Sequence, residues 1–190
     1  MSTHKEAARL VYVMGPSGAG KDSVLGYARR ELGGRYPIAF AHRYITRPAG
    51  DDIENYISLS PAEFELRRSR GLFAFDWEAY GWRYGIGQEI ELWRRAGLVV
   101  VIDGSRQHFL QHRADLSDVL PVFITAAPDI LRQRLIARGR EEVAAIERRL
   151  ERAKAYAPAA PGLVTIDNSG FLEKAGAALV ALLVGLAPAA

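Results

Sequence analysis

Short apolar runs alternate with longer amphipathic stretches along nearly the whole chain. The runs are Leu10–Met14, Ile38–His42, Leu98–Asp103, Val119–Thr125 and Leu163–Asp167, each rich in Val, Ile, Leu or Phe. Continuous apolar runs of this kind predict strands buried on both faces. Helical spacing of apolar residues predicts helices near Asp22–Leu32, Gly87–Ala96, Ser105–Arg113, Asp129–Arg138, Glu142–Tyr156 and Gly170–Leu186. Strand–helix alternation implies a mostly parallel sheet with helices on both faces, an α/β architecture. The stretch Arg43–Gly87 breaks the rhythm, being too long and too rich in polar and aromatic residues for a simple crossover, and predicts a small inserted subdomain.

Composition narrows the class. With 190 residues, 49% hydrophobic and 25% charged, the chain reads as one compact domain over 1–190, its core about 9–42 and 98–190 and its insertion about 43–87. Cysteine is absent, which excludes a disulfide framework and any thiolate metal site and fits a reducing cytoplasm. A net charge of +3 gives weak support to a nucleic-acid partner. The uncharged stretch Ala175–Ala190 is broken by Gly176, Gly185 and Pro188 and is shorter than the roughly 18 residues of a membrane span. It reads as a helix docked on the body. The first residues, with Lys5, Glu6 and Arg9, lack the apolar segment of a secretory signal.

Directly after the first run comes Gly15-Pro16-Ser17-Gly18-Ala19-Gly20-Lys21-Asp22-Ser23. It satisfies Gly-x-x-x-x-Gly-Lys between a strand and a helix, the context of a nucleotide phosphate loop. Glycines let main-chain N–H groups turn toward a polyphosphate, and the helix N-terminus and the Lys21 ammonium add positive charge. The place after the lysine normally offers a hydroxyl to magnesium, whereas here it holds Asp22, with Ser23 one residue later. A carboxylate is a hard ligand that suits Mg2+, so Asp22 and Ser23 are candidate metal residues. The other reading of Asp22 is an acidic first-turn residue facing the helix dipole.

Over nearly its whole length the chain resembles the guanylate kinase superfamily. The residues that carry the resemblance are the phosphate loop, Tyr44-Ile45-Thr46-Arg47-Pro48, Asn55–Ser60, Tyr84-Gly85, Val101-Ile102-Asp103 and Arg134–Arg140. It implies a P-loop fold with an acceptor-binding insertion and an arginine-rich lid about 134–149. Guanylate kinases carry a second arginine soon after Thr-Arg, a serine after Tyr-Gly and a glutamate before the aromatic hairpin. Here the stretch after Arg47 is shortened, Ile86 follows Gly85, and the glutamate position falls on Phe75 or Asp76. Losing such base-reading groups costs discrimination on the order of 10⁴-fold, so guanine is a poor expectation.

The variant pattern is instead similar to the ribose 1,5-bisphosphate phosphokinases of phosphonate breakdown. Met14–Ser23, Ala41–Arg47, Tyr84–Gly87, Gly104-Ser105-Arg106 and Leu131–Leu135 carry this likeness, with Lys21-Asp22-Ser23 and His42–Arg47 its most specific parts. It implies transfer of the ATP γ-phosphoryl to the 1-phosphate of a small sugar bisphosphate, with ATP as co-substrate and Mg2+ as cofactor, and no nucleic-acid or membrane partner. The alternatives are a guanylate-type nucleoside monophosphate kinase and a non-catalytic binding module of the same fold.

The resemblance also suggests roles. Lys21, Arg47, Arg134, Arg138 and Asp103 are expected at the reacting phosphates, and Asn168 beside adenine. Arg43, Arg47, Tyr56, Tyr84, Asp103 and Arg149 are expected at the acceptor. Arginine suits both ends because its planar fork grips phosphate oxygens in pairs. The segment Arg132–Lys154 holds eight basic and four acidic residues, an excess greater than the whole chain's, although Arg148, Arg152 and Lys154 also fit a solvated helix face. Asp103 ends an apolar run, where it would orient an acceptor arginine or a metal-bound water, or else cap the next helix. His42 is expected to pack or bond at a strand end. His108 and His112, four apart, have no third ligand in view for a metal.

Overall fold

The computed structural model of the protein describes residues 10–49, 54–114, 116, 118–137, 147, 150–151 and 158–187. Five parallel strands form the central sheet: β1 (Leu10–Met14), β2 (Ile38–Phe40), β7 (Val99–Asp103), β8 (Val119–Thr125) and β9 (Val164–Asp167), in the order β2-β7-β1-β8-β9. All five residues of β1 are buried. Alternation along β1 sends Val11 and Val13 to one face and Leu10, Tyr12 and Met14 to the other, so it joins two core clusters. On the Val11 face lie α1 (Lys21–Leu32) and α6 (Leu172–Leu186), which pack on each other. Gly176 of α6 lets them approach, since a Cβ there would lie 2.3 Å from a ring carbon of Tyr27. Leu179 and Leu183 of α6 are fully buried, each worth about 1.5–3 kcal/mol of apolar burial.

The other face is covered by α3 (Glu89–Arg95) and α4 (Arg106–His112), with Ile90 and Phe109 in its core. Helix α5 (Pro128–Ala137) follows β8. Within the stretch 43–87, the strands β3 (Arg43–Ile45), β4 (Tyr56–Ser58), β5 (Phe73–Ala79) and β6 (Trp82–Gly87) form a second sheet, ordered β4-β3-β6-β5. Helix α2 (Pro61–Ser69) packs on it through Phe64, which meets Phe73 at a ring separation of 4.6 Å. Ser60 caps α2 by accepting from Glu63 N at 3.1 Å, with Pro61 in the first turn.

The strands start and stop within two residues of the apolar runs. The expected helix Glu142–Tyr156 lies largely outside the described residues, which retain Glu147, Leu150 and Glu151 of it. Leu150 is buried in the α1 face of the core. Among the described residues no helix is long and apolar enough to cross a membrane.

Candidate active site

The carboxyl ends of β1 and β7 form one edge, where ligands of open parallel sheets bind. The loop Gly15–Gly20 turns there between β1 and α1. Gly15 presses on β8, leaving 2.5 Å between a would-be Cβ and Ile124 O. Pro16, Ser17, Gly18 and Ala19 make the turn, closed by Ala19 N donating to Pro16 O at 3.1 Å. Gly18 and Gly20 have φ of 86° and 76°, a left-handed backbone that other residues enter only at a cost. Gly20 is the N-cap of α1 and supplies no side-chain cap, which leaves first-turn amides to a ligand.

The back of this loop is held from two directions. Ala19 O accepts from Asn168 Nδ2 at 2.7 Å and from Arg134 Nη1 at 3.4 Å, while Arg134 Nη2 donates to Asn168 O at 2.9 Å. Asn168 is itself anchored by its N–H on Thr125 O, 2.7 Å away, and its side-chain Oδ1 is buried without a partner.

In front of the loop lies a cluster of charges from four segments, the start of α1, β3, the loop before β4 and the end of β7. Lys21 Nζ bonds Asp103 Oδ1 closely and Asp22 Oδ1 at 3.2 Å. Arg43 Nη1 lies 3.0 Å from Asp103 Oδ2, and its Nη2 lies 3.0 Å from Glu54 Oε2 and 3.4 Å from Asp22 Oδ1. Arg47 Nη2 donates to the same Glu54 Oε2 at 2.8 Å, and its guanidinium sits 4.7 Å over the Tyr56 ring. Tyr56 OH donates to Pro48 O at 3.0 Å. Tyr84 is buried and stacks on Trp77 with centroids 5.5 Å apart.

Burial works to raise the Asp22 carboxyl, but the Lys21 and Arg43 cations beside it prevail and hold it at about 2. Burial pushes the Asp103 carboxyl up, against the pull of Arg43 and Lys21. Burial raises the Tyr84 phenol, opposed by Arg43 and Arg47. For Arg47, burial is outweighed by Glu54, so its guanidinium is held firmly charged.

Lys21, Asp22, Arg43, Arg47, Asp103, Tyr56 and Tyr84 therefore lie around one edge, with Arg134 and Asn168 behind the loop and Ser23 next along α1. Arg138 and Arg149 lie outside the described residues. Arg132 pairs outward with Glu147 at 2.9 Å. The capping alternative for Asp103 fails, because Ser105 Oγ takes that place by accepting from His108 N at 3.3 Å. His42, expected to pack or bond, is exposed beyond the end of β2. His108 is a core residue 3.2 Å from Tyr12 OH, and His112 Nδ1 lies 3.0 Å from His108 O.

Two features escaped sequence reasoning. Glu54, shared by both arginines, was one acidic residue among Asp51, Asp52 and Glu54. Only the pairing of β3 with β4, Arg43 opposite Tyr56, brings it to the arginines. The second is the direction of the base-reading position. Phe75 turns inward against Tyr12 and His108, while Asp76 turns outward to accept from Arg68 Nε at 3.1 Å. Ile86, where guanylate kinases place serine, is fully buried.

A family model described as an AAA domain matches residues 11–154. The chain is 51% identical over 177 residues to the ribose 1,5-bisphosphate phosphokinase PhnN of Desulfomicrobium baculatum, covering 93% of this chain and 95% of that one. With the protein of the same name from Burkholderia pseudomallei it shares 52% over 183 residues, 95% and 98% of the two chains. Among solved structures, guanylate kinase from Anaplasma phagocytophilum aligns with a TM-score of 0.66 at 17% identity, covering 95% of this chain and 87% of the other. That likeness is one of fold: a guanylate kinase-like P-loop domain.

Proposed function

The chain belongs to the family of ribose 1,5-bisphosphate phosphokinases, and from that premise we propose how its residues carry the ATP γ-phosphoryl to the 1-phosphate of ribose 1,5-bisphosphate, giving 5-phosphoribosyl 1-diphosphate and ADP. The acceptor is a phosphate oxygen, largely anionic at pH 7 because its second pKa is about 6. No general base is needed. The protein must supply positive charge, in-line positioning and a dry site.

The observation that carries this reading is the pairing of a phosphate loop with an acceptor site that has charge and, among the described residues, no base-reading groups at the positions where guanylate kinases carry them. Lys21 and Arg47 are joined at one sheet edge through Asp103, Arg43 and Glu54. The positions that would read guanine are the apolar Phe75 and Ile86, and Asp76 faces away. A phosphosugar needs the first feature and not the second.

In this reading the amides of Gly15–Gly20 and the Lys21 ammonium bind the ATP phosphates, and Arg134 and Asn168 hold the loop in shape. Asn168 Oδ1 offers a buried acceptor for the adenine amino group. The resemblance assigns Arg138 to the ATP phosphates and Arg149 to the acceptor, and both lie outside the described residues. Arg47 binds the acceptor phosphate with Tyr56 and Tyr84, in the acceptor-binding insertion 43–87, and Asp103 orients Lys21 and Arg43. Asp22 fits Mg2+, with the Ser23 hydroxyl next along α1 as its candidate partner: Asp22 stays ionised, and both its cation contacts fall on Oδ1, so a second hard oxygen remains. Among the described residues no three His, Asp or Glu side chains form a metal cage, as suits an ion shared with phosphates and water. Bound there, it would offset charge on the β- and γ-phosphates. A cytoplasmic setting, where ATP and phosphosugars meet, belongs to the same reading.

The test is phosphorus NMR of the protein with magnesium-ATP and, in parallel tubes, ribose 1,5-bisphosphate, GMP and AMP. A new diphosphate signal with the ribose compound alone is expected. Transfer to GMP instead overturns the acceptor assignment, and a folded protein silent in every tube favours the binding-module alternative.

A further inference from the structure

Arg43 and Glu54 stand between the two phosphate-binding ends, and gripping phosphate does not account for either. The Arg43 side chain is 11% exposed and has the carboxylates of Asp22, Glu54 and Asp103 around its two terminal nitrogens. A phosphate dianion approaching it would have to displace one carboxylate and face the charge of the other two. Arg47 is more open, at 24%, and lies along the Tyr56 ring. Glu54 spends a single oxygen, Oε2, on both guanidiniums, at 3.0 Å from Arg43 and 2.8 Å from Arg47. Without that anion the two cations would repel across a short gap, and Arg47 would lose its fixed direction.

A second observation points the same way. The two most specific sequence pieces, Lys21-Asp22-Ser23 and His42–Arg47, looked independent along the chain. In space they touch, through the Asp22 to Arg43 contact of 3.4 Å. A carboxylate in the place of the usual hydroxyl thus faces an arginine brought by the acceptor segment, and the contact continues through Glu54 to Arg47.

We propose that Glu54 and Arg43 are a positioning pair: they hold Arg47 at the acceptor phosphate and tie it to the nucleotide loop through Asp22, without themselves touching the transferred group. The proposal rests on the reading of Arg47 as an acceptor-phosphate residue. Glu54 acts through its neighbours, so its loss shows in acceptor binding and spares the nucleotide.

The experiment compares the whole protein with Glu54→Ala, Glu54→Gln, Arg43→Ala and the double variant Glu54→Ala/Arg43→Ala, by steady-state kinetics in both substrates and by calorimetric binding of ribose 1,5-bisphosphate without nucleotide. Glu54→Ala raises the acceptor KM and Kd about tenfold, the scale of one charge-assisted hydrogen bond. Glu54→Gln, which keeps an oxygen for the guanidiniums, raises them about threefold. The ATP KM stays within about twofold in both, and the double variant is no weaker for the acceptor than the weaker single one, as for residues acting as a unit. An unchanged acceptor Kd in folded Glu54→Ala overturns the proposal. So does an ATP KM that rises as far as the acceptor's, or losses that multiply independently. If Glu54→Ala fails to fold, the near-isosteric Glu54→Gln decides by the same comparison. Should wild type prefer GMP, the acceptor reading fails while the pair is judged on GMP binding, since that phosphate is the same chemical group.

Discussion

At the donor end of the cleft the shared acceptor is a main-chain carbonyl, Ala19 O, gripped by Asn168 and Arg134. At the acceptor end it is a carboxylate oxygen, Glu54 Oε2, gripped by Arg43 and Arg47. The donor end is thus made of backbone in a contiguous loop, with side chains behind it. The acceptor end is made of charges drawn from the start of α1, β3, the loop before β4 and the end of β7. A backbone cradle keeps its shape so long as its turns are permitted. A cluster of charges keeps its shape only while each ion has its counter-ion.

Substitutions that strike one end and spare the other test this contrast. The largest effect is expected from Lys21→Ala, which removes the cation at the junction of the two ends. Turnover should fall by about 10³-fold with an unchanged circular dichroism spectrum, and normal turnover would break the phosphate-loop assignment. Next, Arg47→Lys keeps the charge and loses the planar fork, so acceptor kcat/KM should fall about 30-fold while the ATP KM hardly moves. Parallel initial-rate series in each substrate read the split.

Gly20→Ala is the matching test at the donor end. The position has φ of 76°, and a Cβ would lie 2.6 Å from Asn168 Nδ2. The ATP KM should rise about tenfold, with the acceptor Kd measured without nucleotide unchanged. A loss at both ends would mean that the loop and the ionic cluster are not separable.

Asp22→Ser restores the usual hydroxyl and should shift the magnesium titration of the rate; an identical curve would place Asp22 away from the metal. Its pH signature follows from a folded carboxyl at about 2, below its ordinary 3.8. The stabilisation is fully present above the unfolded value and is lost as pH falls toward the folded one. The difference in Tm between wild type and Asp22→Ser should be flat from about pH 5 to 8 and change between about pH 4 and 2.

The smallest effect concerns the core behind the cleft. Burial, with His112 beside it, holds His108 at about 4. Between that value and the unfolded 6.5 the unfolded chain binds more protons, so stability should rise with pH across this window. His108→Gln should flatten that slope in thermal melts, and an equal slope would show that His108 is not buried neutral.

The sheet and the loop were legible because their signals are local. Leu10–Met14 is apolar at every position because both faces of β1 are covered, and Gly15–Lys21 carries its geometry in its own glycines. The guanine question was half legible. Sequence left the base-reading position on Phe75 or Asp76, and the pleat of β5 settled which of the two faces the core.

Amino-acid order alone determined the alternation of strand and helix, the phosphate loop, and the family whose members share its motifs. The first two rest on periodicity or backbone conformation within a few residues, and the third on the resemblance of motifs spread along the chain. Only the tertiary structure decided which charges meet: that Asp22 faces Arg43, that Glu54 joins Arg43 to Arg47, and that Asp103 holds Lys21 and leaves the helix cap to Ser105. An ion pair carries no periodicity. Its partners are chosen by distance in space, and 82 positions separate Lys21 from Asp103 until the parallel pairing of β1 with β7 brings them to one edge.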